Sequence, residues 1–277
     1  MAKNNTKQIV GILGKGEIGS AMAQICQEAG YIVYARDLNY DELKNKTIDF
    51  LHVNIPEKKN KDFVEVVVNA IKELKPKLTI INSSVSPGTT RAIFKKTKLP
   101  IVHSPVIGVH PNLYDSIKNG FRKVIGAINK QALMETKKHF NKLGLKYEIY
   151  DRPEESEAAK LLDLVYYAWN IVFCKEVANL CATKKLNFTQ VYTAQTKIYN
   201  DGYSKVLPNV VRPILVPHPG PITGHCTIPD TVLINEYYKN PITEFILKEN
   251  TKFSKEVKDI KVQRQDFIKL RRKQMKI

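Results

Sequence analysis

One short segment constrains this chain more than any other: Gly14-Lys-Gly16-Glu17-Ile18-Gly19, placed between the apolar run Ile9-Val-Gly-Ile-Leu13 and the helix-forming run Ser20-Ala-Met-Ala-Gln-Ile-Cys26. Three glycines at this spacing suit a strand-to-helix turn that wraps a pyrophosphate. The first permits the tight turn, the second lets the backbone approach the phosphates, and the third lets the helix pack closely on the strand. The helix N-terminus then offers N–H groups and the positive end of its dipole to the anion. A second apolar run at 31–35 leads to an acid, Asp37, eighteen residues after Gly19. A carboxylate at that place accepts hydrogen bonds from ribose hydroxyls and repels a 2′-phosphate. The expected cofactor is therefore NAD rather than NADP, bound by Gly14, Gly16, Glu17, Ile18, Gly19 and Asp37, with Arg36 a candidate to stack on adenine.

Around this segment the first 150 residues alternate short β-branched runs with amphipathic stretches of helix length, the pattern of a parallel sheet covered by helices. Strands are expected at 9–13, 31–35, 48–53, 78–82, 101–103, 123–127 and 147–150, and helices at 18–29, 61–74 and 130–143. The fold class is thus α/β: a Rossmann doubly wound parallel sheet over 1–152, followed by a mainly helical domain over 153–277. The second domain is entered by one long helix at 154–184, which has few breakers and apolar residues at helical spacing. Six prolines and two glycines in 207–229 exclude regular structure there and leave an ordered loop, with helix resuming at 231.

Composition narrows the function classes. No run of eighteen apolar residues exists and the N-terminal residues are polar, so a soluble cytoplasmic protein with no membrane partner is expected. The four cysteines show neither a metal-type CxxC spacing nor the density of a disulfide scaffold, and no metal is called for. Lys and Arg outnumber Asp and Glu by 44 to 27, a net charge of +17 that favours an anionic small-molecule substrate. No nucleic-acid motif accompanies the basic runs at 58–61, 95–98, 137–146 and 269–276, which read as solvated surface.

Three further segments resemble the UDP-glucose/GDP-mannose 6-dehydrogenase family, in that family's order. Ile81-Asn-Ser-Ser84-Val-Ser-Pro-Gly-Thr-Thr90 is similar to its "STVPPGTT" element, Glu157-Ala-Ala-Lys160-Leu to its "AE-x-x-KL", and Pro219-Gly-Pro-Ile-Thr-Gly-His-Cys226-Thr-Ile-Pro-Asp230 to its "GPGVGGHCIPVD". The resemblance implies oxidation of a sugar primary alcohol through an enzyme-bound thioester, with two hydrides passed to two NAD molecules. It also implies roles for residues: Cys226 the nucleophile, Lys160 the cation at anionic oxygens, Ser84 the water-orienting hydroxyl and Asp230 an acid-base partner. A homodimer built through the helical domain is implied as well.

The sequence departs from the family at two informative positions. Leu164 stands where the family carries an asparagine four residues after its lysine, and Val106 stands where a glutamate follows Ser-Pro. The chain also reads as a short member without the family's C-terminal nucleotide-sugar-binding domain. Two other readings stay open. His103 and His110 flank Ser104-Pro-Val-Ile-Gly108, a stretch similar to the His-Pro-x-x-Gly of prephenate dehydrogenases, which suggests hydroxy-acid oxidation without covalent catalysis. A non-catalytic NAD-binding scaffold or regulator is the other.

Overall fold

In the computed structural model, which describes residues 7–57 and 62–255, the first half of the chain builds one eight-stranded sheet in the order β3-β2-β1-β4-β5-β6-β7-β8. The strands are β1 (Ile9–Leu13), β2 (Ile32–Asp37), β3 (Tyr40–Asp41), β4 (Phe50–Val53), β5 (Leu78–Ile81), β6 (Ile101–His103), β7 (Lys123–Ala127) and β8 (Tyr147–Tyr150). Alternation along the central strands sends side chains to two separate cores. Val10, Ile12, Phe50, Ile80 and Val102 meet the helices α1 (Glu17–Glu28) and α5 (Lys130–Leu143) on one face. Leu51, Val53, Ile81 and Ile101 meet α2 (Phe63–Leu74) and α3 (Thr89–Thr97) on the other. Helices on both faces of a mostly parallel sheet make this a doubly wound Rossmann fold, as the sequence pattern implies.

Helix ends follow local chemistry. The Asp62 carboxylate accepts from Glu65 N at the start of α2, and Asn129 Oδ1 accepts from Ala132 N at the start of α5. Gly144 closes α5 in the left-handed conformation, φ 68°.

The sheet is not wholly parallel. The two-residue β3 lies antiparallel to β2, and β7 runs antiparallel to β6 before β8 pairs parallel to β7. The link from β6 to β7 carries only α4 (Leu113–Asp115) and the π-helical turn Ser116–Gly120 that continues it, in place of a longer crossover helix, and the chain returns in the opposite direction. One consequence bears on the site: Lys123, first residue of β7, lies at the end of the sheet where β4, β5 and β6 finish.

The chain divides into two compact units, Met1–Leu161 and Leu162–Ile277, and α6 (Pro153–Lys184) carries residues of both. The second unit is helical, with α7 (Gln195–Val206), α8 (Thr227–Tyr237) and α9 (Pro241–Lys255). Helix resumes earlier than the proline count implies: Pro229 sits in the first turn of α8, where a backbone N–H has no intrahelical partner to lose. No described helix is long and apolar enough to cross a membrane. The basic runs at 58–61 and 269–276 lie outside the described residues.

Candidate active site

At the turn after β1 the glycines do what their spacing implies. Gly14 has φ +87°, and a Cβ on Gly19 would stand 1.9 Å from the Gly14 carbonyl oxygen, so α1 reaches its seat on the strand only without a side chain there. Around Gly16, by contrast, a Cβ would meet no atom within 4 Å, which leaves open the approach to the backbone. Gly16 is also the N-cap of α1, and among the described residues no side chain caps that terminus. Half-buried Ile18 packs against the first core, and exposed Glu17 pairs with the His110 ring.

The end of β2 is tied to this turn. Asp37 accepts from Leu38 N at 2.7 Å and from Lys15 N at 2.6 Å, and these N–H groups hold its carboxyl below the usual range. Each carboxylate oxygen keeps a lone pair for a ribose hydroxyl. The neighbouring Arg36 is committed elsewhere: its guanidinium forks onto Glu73 at 2.6 and 2.8 Å and pairs with Asp41 at 2.8 Å. A guanidinium held by two acids is not offered to a 2′-phosphate. Together the open glycine turn, the uncapped helix and the acid at the end of β2 fit a dinucleotide without a 2′-phosphate.

Beyond β4, β5 and β6 the rim is stitched by buried polar groups whose partners no sequence spacing indicates. Glu157, fully buried, reaches from α6 to accept from Gly88 N at 2.6 Å and Thr90 N at 2.8 Å, so it caps α3, whose own N-cap glycine has no side chain. Burial raises its pKa, and the two N–H bonds oppose that shift. Two of the family-like segments, Ser-Pro-Gly-Thr-Thr90 and Glu157-Ala-Ala-Lys160, are thereby one structural unit. Arg91 and Glu154 pair beside them.

His103 is wholly buried. Its Nε2 lies 3.1 Å from the Ser83 carbonyl and donates to it, and its Nδ1 lies 2.7 Å from Ser156 Oγ, a hydroxyl that also reaches the Pro153 carbonyl at 2.9 Å. Burial lowers its pKa to about 3, so the ring is a neutral strut with both nitrogens engaged inside the protein. Ser84 is half-buried in the loop after β5, and Lys160 is half-buried on α6, its charge felt by Lys123 and His103. Val106, 5% exposed, packs into the first core, so the position after Ser-Pro brings no carboxylate to the rim.

Within the second unit, Cys226 is the half-buried N-cap residue of α8, and its carbonyl accepts from Asp230 N at 2.8 Å. Asp230 is buried in the first turn of that helix, and His225 is exposed. The proline-rich strap leading to Cys226 is anchored along its length. Asn200 brackets Arg212, whose guanidinium lies 5.0 Å from the Tyr199 and Tyr203 rings, and the Tyr192 hydroxyl donates to Pro213 O. Buried Lys175 donates to the carbonyls of His218 and Gly220, with its ammonium 4.4 Å from the Phe253 ring. Burial, with the Lys175 charge second, lowers the His218 pKa. A cleft of about 160 Å³ opens between the strap and α6, lined by Tyr167, Ile171, Lys175, Val216, His218 and Thr227.

No protein-family model matches the sequence, and no curated protein matches it. The fold is nonetheless shared with solved dehydrogenases. A UDP-D-ManNAc dehydrogenase from Pyrococcus horikoshii superposes at TM-score 0.73 with 17% identity, over 89% of this chain and 69% of that one. A UDP-glucose dehydrogenase from Pyrobaculum islandicum gives 0.71 with 16% identity, over 91% and 70%. A 3-hydroxyisobutyrate dehydrogenase from Mycobacterium tuberculosis gives 0.65 with 16% identity, over 90% and 94%. UDP-sugar dehydrogenases are thus structural neighbours, as the motif resemblance implies, and at these identities the likeness is one of fold.

Proposed function

We propose that this chain is an NAD-dependent dehydrogenase that oxidises an alcohol group of a sugar-like, anionic substrate. The observation that carries the reading is the cofactor turn: the Gly14–Gly19 sterics, the open backbone at Gly16 and the Asp37 carboxylate clasped to Lys15 N, beside an Arg36 already bound by acids. Gly14, Gly16, Glu17, Ile18 and Gly19 hold the pyrophosphate side and Asp37 the adenine ribose. When bound, NAD accepts one hydride for each two-electron oxidation. The charge of +17 favours an anionic substrate.

In the covalent form of the reaction, the Cys226 thiolate adds to the carbonyl carbon of the aldehyde from the first oxidation and forms a thiohemiacetal. Two-electron oxidation of that adduct would leave a thioester on Cys226, which water would cleave to carboxylate and free thiolate. Lys160 steadies the anionic oxygens, the Ser84 hydroxyl orients water and Asp230 exchanges protons. The place of Cys226 at a helix N-terminus supports its role, because the dipole favours negative charge on sulfur.

Burial of Val106, where a hydrolytic glutamate is absent, favours a second reading with one hydride transfer and no thioester. The 94% coverage of the hydroxy-acid dehydrogenase agrees with that. A homodimer completes the proposal: Leu162, Tyr166, Trp169, Phe173 and Leu180 form one face of α6 and are each 38–60% exposed.

A screen of nucleotide sugars, sugar phosphates and hydroxy acids for NADH formation identifies the substrate, and Cys226→Ser then separates the routes. The covalent route predicts a turnover loss on the order of 10³-fold or more with the first hydride transfer retained. Full turnover in the variant excludes covalent catalysis and leaves one-step oxidation. Failure to bind NAD overturns the whole reading.

A further inference from the structure

We infer that Lys123 is a positioning residue at the rim of the candidate active site, whose buried ammonium locks the Asn82 amide and, through it, the ring tautomers of His52 and His139. Its consequence for catalysis rests on the dehydrogenase reading above, whereas the lock itself does not.

The geometry leaves little choice of proton placement. Lys123 is 2% exposed, and its Nζ donates to Ser104 O at 2.5 Å, Pro105 O at 2.9 Å and Asn82 Oδ1 at 3.3 Å. An ammonium has three N–H groups, and three oxygens receive them. With its oxygen turned to the ammonium, the Asn82 amide must point its NH₂ at Asn54 Oδ1, 3.0 Å away, and at His52 Nδ1, 3.1 Å away. Accepting at Nδ1, the neutral His52 ring carries its proton on Nε2 and donates it to His139 Nε2 at 2.9 Å. His139 then carries its own proton on Nδ1 and donates to the Tyr31 hydroxyl at 2.9 Å. Burial keeps both rings neutral, lowering His52 well below its ordinary range and His139 to about 3. One amine thus sets four side chains, from the ends of β5 and β6 to the residue before β2.

This arrangement also ties the rim together. Asn82 directly follows β5 and precedes Ser83 and Ser84, while Ser104 and Pro105 directly follow β6. A single ammonium holds both ends, and among the described residues no carboxylate is a hydrogen-bond partner of it. Burial, and next the Lys160 charge, bring Lys123 down to about 7. The titratable groups coupled to it are Lys160 on α6, His103 on β6 and His52 on β4. A neutral amine has two N–H groups for three acceptors, so the longest bond, to Asn82, is the one released as pH rises through about 7.

The same cluster holds metal-type donors: Cys26, His52 and His139 place one ligand atom each within 4.8 Å of one another, all buried. The 2.9 Å hydrogen bond between the imidazoles engages the Nε2 atoms of both rings with each other. Burial pushes the Cys26 thiol up to about 12, so it stays protonated.

Long-range ¹H–¹⁵N spectra of histidine-labelled protein test the lock without cofactor or substrate. At pH 6 the wild type should show His52 as the Nε2–H and His139 as the Nδ1–H tautomer, each single; near pH 9 the His52 signals should become a mixture. Lys123→Met should show that mixture already at pH 6, and Asn82→Asp, which offers an acceptor to His52 Nδ1, should reverse both tautomers. An Nδ1–H His52 in the wild type, tautomers unchanged in Lys123→Met, or ring shifts that saturate with one equivalent of Zn²⁺ would each overturn the proposal. If NAD binds, Lys123→Met should lower kcat with the NAD dissociation constant unchanged, since Asp37 and the glycine turn are untouched. A tautomer lock that holds in a protein that does not bind NAD refutes the dehydrogenase reading alone.

Discussion

The two compact units present their candidate site residues by different physical means. In the first, groups at the rim are held from beneath by buried polar side chains: Lys123, Asn82, His52, His103 and Glu157 are at most 2% exposed and bonded to backbone or to one another. In the second, Cys226 ends a proline-rich strap pinned through its carbonyls by Lys175 and Tyr192, while a face of α6 stays apolar and exposed. A buried polar network has few alternative arrangements, because each unmade bond leaves a desolvated group. A strap held at intervals and an uncovered apolar face leave more freedom. The difference teaches that buried polar bonds fix the rim of the first unit, whereas the second leaves an apolar face of α6 exposed, the face on which the proposed homodimer rests.

Acid should separate the units most. His52, His103 and His139 are neutral in the folded first unit and titrate near 6.5 when unfolded, so the unfolded chain binds more protons below that pH. Their stabilisation is complete above 6.5 and is lost as pH falls from 6.5 toward 3, at roughly 1.4 kcal/mol per pH unit for each ring that stays neutral. Hydrogen exchange at pH 7 and pH 4.5 should show protection falling in the first unit well before the second, where the half-buried His218 has the lowered pKa. Equal loss in both units breaks the comparison.

Gly19→Ala comes next. With a Cβ 1.9 Å from the Gly14 carbonyl oxygen, α1 must shift off β1, at a cost of up to about 3 kcal/mol. Thermal unfolding should fall by about 2–4 °C per kcal/mol, and NAD affinity should drop by at least ~10-fold. An unchanged transition with unchanged binding would show that the turn is not a steric lock.

Phe173→Glu sharpens the other side of the comparison. Phe173 is 53% exposed, so the monomer fold should tolerate the change, while a dimer seated on this face should weaken by about 2 kcal/mol, close to 30-fold in its dissociation constant. Light scattering across a concentration series reads the shift. A wild type that is monomeric at micromolar concentration removes the dimer from the proposal.

Much of the fold was legible because it rests on local rules. Strands β1, β6, β7 and β8 and helix α5 fall at the expected boundaries, since β-branched runs, an Asn cap and a closing glycine act over a few residues. The antiparallel entry of β7 was not legible, because strand direction depends on how a connection packs rather than on the residues within the strand. Lys123 left a trace in the sequence, a lysine opening the otherwise apolar strand Lys-Val-Ile-Gly-Ala127, but read alone it is an ordinary exposed strand end. Glu157 appeared in a motif, yet its work as the cap of α3 did not.

The sequence by itself determined the α/β alternation, the glycine turn and the acid that ends β2, because a glycine's steric freedom and the periods of helix and strand are properties of neighbouring residues. Tertiary structure alone decided which polar groups meet: His52 with His139 across 87 residues, Gly88 with Glu157 across 69, and Arg36 with Glu73 instead of a phosphate. A buried hydrogen bond is chosen by whatever lies within about 3 Å of it after the chain has collapsed. No periodicity along the chain encodes that distance.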